Sequence, residues 1–127
     1  RIFTIKEDNI YNTIIRNEMK QGNYDDAKDM VKHTINKNYA DDETYYLNGL
    51  IKATLDSKAE GIAIWERGLR EHPNSGLLNY QLAIANRSLD NKDKAKKYIK
   101  AALKSDPSNN DYINLNKELS DDSDSEN

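Results

Sequence analysis

The sequence predicts an all-α fold assembled from consecutive helix pairs, and three observations carry that expectation. Gly (5) and Pro (2) are scarce among 127 residues, whereas sheet folds need turn residues every few positions. Shifting the chain against itself by 34 residues aligns Gly49 with Ala83, Gly61 with Ala95, Trp65 with Ile99, Gly68 with Ala102, Leu69 with Leu103 and Pro73 with Pro107. One period earlier, Ala27, Val31 and Ile35 fall on Gly61, Trp65 and Leu69. Small residues recur where two helices must approach and large ones where the space between them must be filled. Third, the apolar spacing is helical. Ala95, Ile99, Ala102 and Leu103 lie at i, i+4, i+7 and i+8, with Lys96, Lys97, Lys100 and Lys104 on the other side.

The elements follow in order. Residues 1–7 form a lead-in that lacks the apolar core of a signal peptide, and a chain starting at Arg1 is expected to be a fragment of something longer. The first unit covers 8–41, broken between its helices at Gln21-Gly22-Asn23 and ended by Asn38-Tyr39-Ala40-Asp41. The second covers 42–75, broken at Asp56-Ser57-Lys58 and ended by His72-Pro73-Asn74-Ser75. The third covers 76–109, broken at Asp90-Asn91-Lys92 and ended by Asp106-Pro107-Ser108-Asn109. A proline past the last turn stops a helix because it lacks the next N–H donor. Tyr112, Leu115 and Leu119, at i, i+3 and i+7, predict a helix over 110–119 that caps the apolar face of the third pair. From Ser120 to Asn127 there is no apolar residue, so a disordered acidic tail is expected.

Composition narrows the function. Mean hydropathy is −0.99, and no run approaches the roughly 20 apolar residues of a membrane-spanning helix. A soluble, cytoplasmic protein is expected, with a removed upstream signal or anchor left open. The net charge is −3, but Glu118–Asn127 holds five acids and no base, leaving the rest slightly positive. Such a balance gives no strong steering toward nucleic acid or an anionic membrane. With no Cys, disulfides, thiolate catalysis and Cys-ligated zinc are excluded. His33 and His72 lack metal-ligand spacing. Asp25-Asp26 and Asp41-Asp42-Glu43 fall where helices begin and read as caps. There is no phosphate loop and no serine elbow. The expectation is a non-enzyme with no catalytic residue, cofactor or metal.

The motifs Gly22-Asn23-Tyr24-Asp25-Asp26-Ala27 and Ala95 through Ala102-Leu103 to Asp106-Pro107 resemble the turn, second helix and exit of the tetratricopeptide repeat family, over about residues 8–109. The resemblance implies an α-solenoid, a right-handed superhelix of three helix pairs plus a capping helix, whose first helices line a concave groove. Ile15, where the family favours a small residue, Asn48, where it favours Leu, and Tyr39, where it favours Pro, depart from the pattern. Ile64-Trp65-Glu66-Arg67 also resembles the half-repeat variant of RNA-processing scaffolds; the even period favours the ordinary form.

Three ladders of first-helix residues recur at the period: Asn12, Tyr46, Tyr80; Arg16, Leu50, Ile84; and Met19, Ala53, Arg87. Within each helix they lie at i, i+4 and i+7 and share one face. Tyr46, Leu50, Tyr80 and Ile84 form an apolar, partly aromatic patch flanked by Arg16 and Arg87, suited to a peptide or helix of a partner protein. The competing reading is that part of this set packs between neighbouring first helices. Co-chaperones of the family clamp the C-terminal carboxylate of heat-shock proteins with Lys and Asn on the first unit, Asn on the second, and Lys and Arg on the third. The matching places hold Asn12 and Arg16, then Leu47, then Leu77 and Gln81, so the resemblance implies no such clamp. Self-association through open solenoid ends and an RNA scaffold using the Lys92–Lys104 side are the alternatives. The second is not favoured, since no aromatic is interleaved with those lysines.

Overall fold

A computed structural model describes residues 8–124, with side chains as far as Asp121. Residues 1–7 lie outside the described residues. Seven helices follow one another: α1 (Ile10–Lys20), α2 (Tyr24–Asn36), α3 (Asp42–Leu55), α4 (Lys58–Glu71), α5 (Gly76–Ser88), α6 (Lys92–Ser105) and α7 (Asn110–Asp124). The described residues include no strand. Each helix packs on the next, and α1, α3 and α5 also lie side by side, forming one wall of an α-solenoid.

The first helices start on side-chain caps that supply acceptors for orphan N–H groups. Asn9 accepts from the N–H groups of Tyr11 and Asn12. Asp41 forms a capping box with Thr44, and Ser75 accepts from Leu78 N–H. Ser57 accepts from Glu60 N–H at the start of α4. The α1–α2 and α5–α6 turns each need a residue at positive φ. Gly22 (φ 80°) fills that place in the first unit and Asp90 (φ 62°), two periods later, in the third.

Between paired helices the same two positions carry different side chains in the three units. Ile15 faces Val31, Gly49 faces Trp65, and Ala83 faces Ile99. All six are buried. Trp65 lies so close over Gly49 that any Cβ there would overlap the indole, and its Nε1–H donates to the Tyr46 carbonyl at 3.0 Å. Where the second helix carries a smaller residue, the first carries a larger one, keeping the interior filled. Ile15 therefore departs from the small-residue pattern because Val31, not Trp, stands opposite.

α7 closes the last pair with Leu115 and Leu119 buried against Ala83, Ala95, Ile99 and Ala102. It also corrects an expectation. The tail expected to be disordered from Ser120 is helical to Asp124. Leu119 anchors the preceding turn, and adding residues to an existing helix avoids the cost of nucleating a new one. Residues 125–127 lie outside the described residues.

Candidate functional site

The first-helix ladders lie on the wall made by α1, α3 and α5, but their residues do not play one role. Asn12 is fully buried. Its Nδ2 donates to Asp41 Oδ1 at 2.8 Å and approaches Glu43 Oε1 at 3.5 Å, while its Oδ1 accepts from Thr44 Oγ1 at 2.7 Å. Its polar groups are therefore spent inside the protein, joining α1 to the N-terminus of α3. Burial opposes ionisation of Asp41, yet hydrogen bonds from Asn12, the Thr44 N–H and Asn9 together hold its carboxyl below the ordinary carboxylate value. This corrects the expectation for Asn12, which cannot offer its amide to a ligand in this conformation.

Arg16 pairs with Glu43 of α3 and donates to Thr13 Oγ1 at 3.1 Å. Met19 is half-buried on the cluster of Ile15, Ala27, Val31, Leu47 and Ile51. Tyr46 touches that cluster and also the next, built from Tyr45, Trp65, Leu78, Leu82 and Ala85. Burial, reinforced by the Glu43 charge, raises its phenol pKa. Leu50 is half-buried on the second cluster. Tyr80 and Ile84 are half-buried on the third, beneath α7. The Tyr80 ring lies 5.0 Å from that of Tyr112, tilted by 35°. Arg87, largely exposed, pairs with Glu118 of α7.

The structure thus brings together a half-buried strip of Tyr46, Leu50, Tyr80 and Ile84, bounded by Arg16–Glu43 at one end and Arg87–Glu118 at the other. Glu43, Tyr112 and Glu118 belong to this face and were missed by the ladder argument. The available signal was opposite charge on neighbouring helices of this face, 27 residues apart for Arg16 and Glu43 and 31 for Arg87 and Glu118. On α6, Lys97, Lys100 and Lys104 are exposed. Among the described residues no group of His, Asp or Glu has the arrangement to hold a metal ion, and no helix is long and apolar enough to cross a membrane.

Comparison with known proteins agrees with this architecture. The family model of the Fis1 C-terminal tetratricopeptide repeat matches residues 78–127, from α5 onward. No curated protein sequence matches the chain. Among solved structures, the first TPR of Spaghetti (RPAP3) bound to the HSP90 peptide SRMEEVD is 17% identical, with a TM-score of 0.75 over 88% of this chain and 91% of that one. The Yersinia enterocolitica type III secretion chaperone SycD, in complex with a peptide of the translocator YopD, is 13% identical, with a TM-score of 0.67 over 94% and 92%. A chain of the Naa15/Naa10 structure bound to HypK-THB is 20% identical, with a TM-score of 0.71 over 86% of this chain and 16% of that one. At such identities the likeness is one of fold. Its 34-residue period, its paired helices and the family match over residues 78–127 together support a tetratricopeptide-repeat fold for the chain.

Proposed function

We propose that the chain is a non-enzymatic interaction module that holds a peptide or helical segment of another protein on the face formed by α1, α3 and α5. The observation that carries this reading is the strip Tyr46, Leu50, Tyr80 and Ile84, apolar across two successive first helices and bounded by two arginine–glutamate pairs. Each of its side chains keeps part of its surface in water. A partner would cover that remainder, and tyrosine offers wide contact area at small entropic cost. Arg16 and Arg87 could exchange their surface partners for a ligand carboxylate at little loss, because such exposed pairs contribute only about 0–1 kcal/mol. Similar structures holding peptides, SycD with its YopD peptide and the Spaghetti domain with its HSP90 peptide, support a peptide ligand in general terms. The carboxylate clamp of the co-chaperones is not part of this proposal. Asn12 and Leu47 occupy two of its places and are buried.

The test is affinity capture with the full chain as bait, followed by calorimetric titration of the recovered partner. Tyr46→Ala and Tyr80→Ala should each weaken binding roughly tenfold or more while helicity is retained. Lys96→Gln, Lys97→Gln and Lys100→Gln together should change it less than about threefold, as rim charges do. The reverse ranking, or saturable RNA binding that falls steeply with salt, would overturn the groove reading.

A further inference from the structure

The period that builds the solenoid also exposes a seat at its N-terminal end. Ile10, Ile14 and Met30 stand two periods before Leu78, Leu82 and Tyr98. In the third unit those positions are the joint with the unit before. Leu78 and Leu82 are fully buried with Tyr45 and Trp65, and Tyr98 packs on the same cluster. In the first unit no described helix covers the equivalent face. Ile10 is 67% exposed, and a cleft of about 390 Å³ opens among Ile14, Glu18, Asp26, Asp29, Met30 and His33.

The rim states what should fill it. Around Tyr98 the corresponding positions are basic, with Lys94 and Lys97 in the places of Asp26 and Asp29, and the incoming α4 brings Glu66 together with Arg70. Glu66 is near enough that its charge adds to burial in raising the Tyr98 phenol pKa. Around Met30 the sign is inverted: Glu18, Asp26 and Asp29 are all acidic. No cation among the described residues pairs with Asp26 or Asp29. We propose that the Ile10–Ile14–Met30 face seats a basic amphipathic helix of a partner protein, lying where α4 lies on α5 and α6, with its apolar edge on Ile10, Ile14 and Met30 and Lys or Arg side chains over Glu18, Asp26 and Asp29. A second copy fits less well. The basic helix of a second copy, α6, has its own apolar side buried as Ala95, Ile99 and Ala102.

The probe is a helix-stapled peptide of the α4 sequence Lys58–Glu71 in which Glu60, Glu66 and Glu71 are replaced by Lys, titrated into the full 127-residue chain and followed by amide and methyl NMR shifts. Saturable shifts at Ile10, Ile14 and Met30 are expected, with affinity that falls as salt rises. Ile10→Asp and Asp29→Lys, both at exposed positions, should leave the circular dichroism spectrum unchanged and each weaken binding roughly tenfold. The proposal is overturned if the peptide does not saturate, if shifts centre on Tyr46, Leu50 and Tyr80, or if the unsubstituted α4 peptide, in which three acids balance three bases, binds as well. Tighter binding by a Phe3→Asp chain would instead assign the seat to the chain's own N-terminal segment. A concentration-dependent dimer of the free chain that Ile10→Asp abolishes would assign it to a second copy.

Discussion

The first and second units solve the same packing problem in opposite ways. In the second, all the bulk sits on one side: Trp65 reaches across to a glycine, donates to the Tyr46 carbonyl and leaves no room for a methyl group at position 49. In the first, Ile15 and Val31 share the space evenly and no hydrogen bond ties them. The units also close their outer ends differently. Tyr11 stacks on the exposed Tyr39 ring at 5.1 Å, whereas Tyr45, one period later, is buried and donates its hydroxyl to Glu71. The second unit is thus a tight and intolerant joint, and the first a looser and more forgiving one.

The sharpest way to break the contrast is Trp65→Ala, expected to cost about 3–5 kcal/mol in urea unfolding as a large core truncation. Ile15→Ala should cost less, about 2–4 kcal/mol. Equal losses would show that the two joints are equally demanding. Gly49→Ala alone should cost about 1–3 kcal/mol by overpacking. Combined with Trp65→Ile, it recreates the Ala83–Ile99 pairing of the third unit, and the double variant should be more stable than the sum of the singles predicts by about 1 kcal/mol. Strict additivity would mean that the two positions do not share one space.

The outer closure can be tested by alkali. Burial first, then the Glu71 hydrogen bond and charge, push the Tyr45 phenol up to about 12 from 10.0. A raised folded-state pKa means that folding favours the protonated form. Its contribution is therefore full below the unfolded value and fades as pH rises from about 10 to about 12. Tyr46, Tyr98 and Tyr112 are shifted in the same direction, each with burial as the leading cause. Tyr45→Phe should make the alkaline loss of stability shallower, measured as unfolding midpoints across that range. An unchanged slope would remove Tyr45 from the account. The smallest effect is expected at the turns. Asp90→Gly gives the third unit the residue that the first already has at positive φ, and should change stability by less than about 1 kcal/mol, because relief of the left-handed conformation is offset by the greater freedom of Gly in the unfolded chain.

What could be read in the sequence was what repeats. The buried Trp65 and the covering Leu115 and Leu119 follow from the period and from helical spacing alone. Asn12 did not, because a polar side chain on a helix face reads as solvent-exposed until its partners are known, and Asp41, Glu43 and Thr44 lie 29–32 residues away. Arg16 and Arg87 looked available for the same reason. The helix through Ser120–Asp124 escaped because composition argues against order there, whereas the helix is extended from a turn that Leu119 already holds in place.

The bond between the Trp65 indole and the Tyr46 carbonyl has a practical consequence. Trp65 is the only tryptophan in the chain, and the backbone group it is bonded to belongs to a residue of the proposed binding strip. Movement of that carbonyl, as a ligand pressing on Tyr46 would cause, would change the polarity felt by the indole. The unmodified protein therefore carries its own fluorophore directly behind the strip, so occupancy can be followed as a change in emission without attaching a dye to the surface under study.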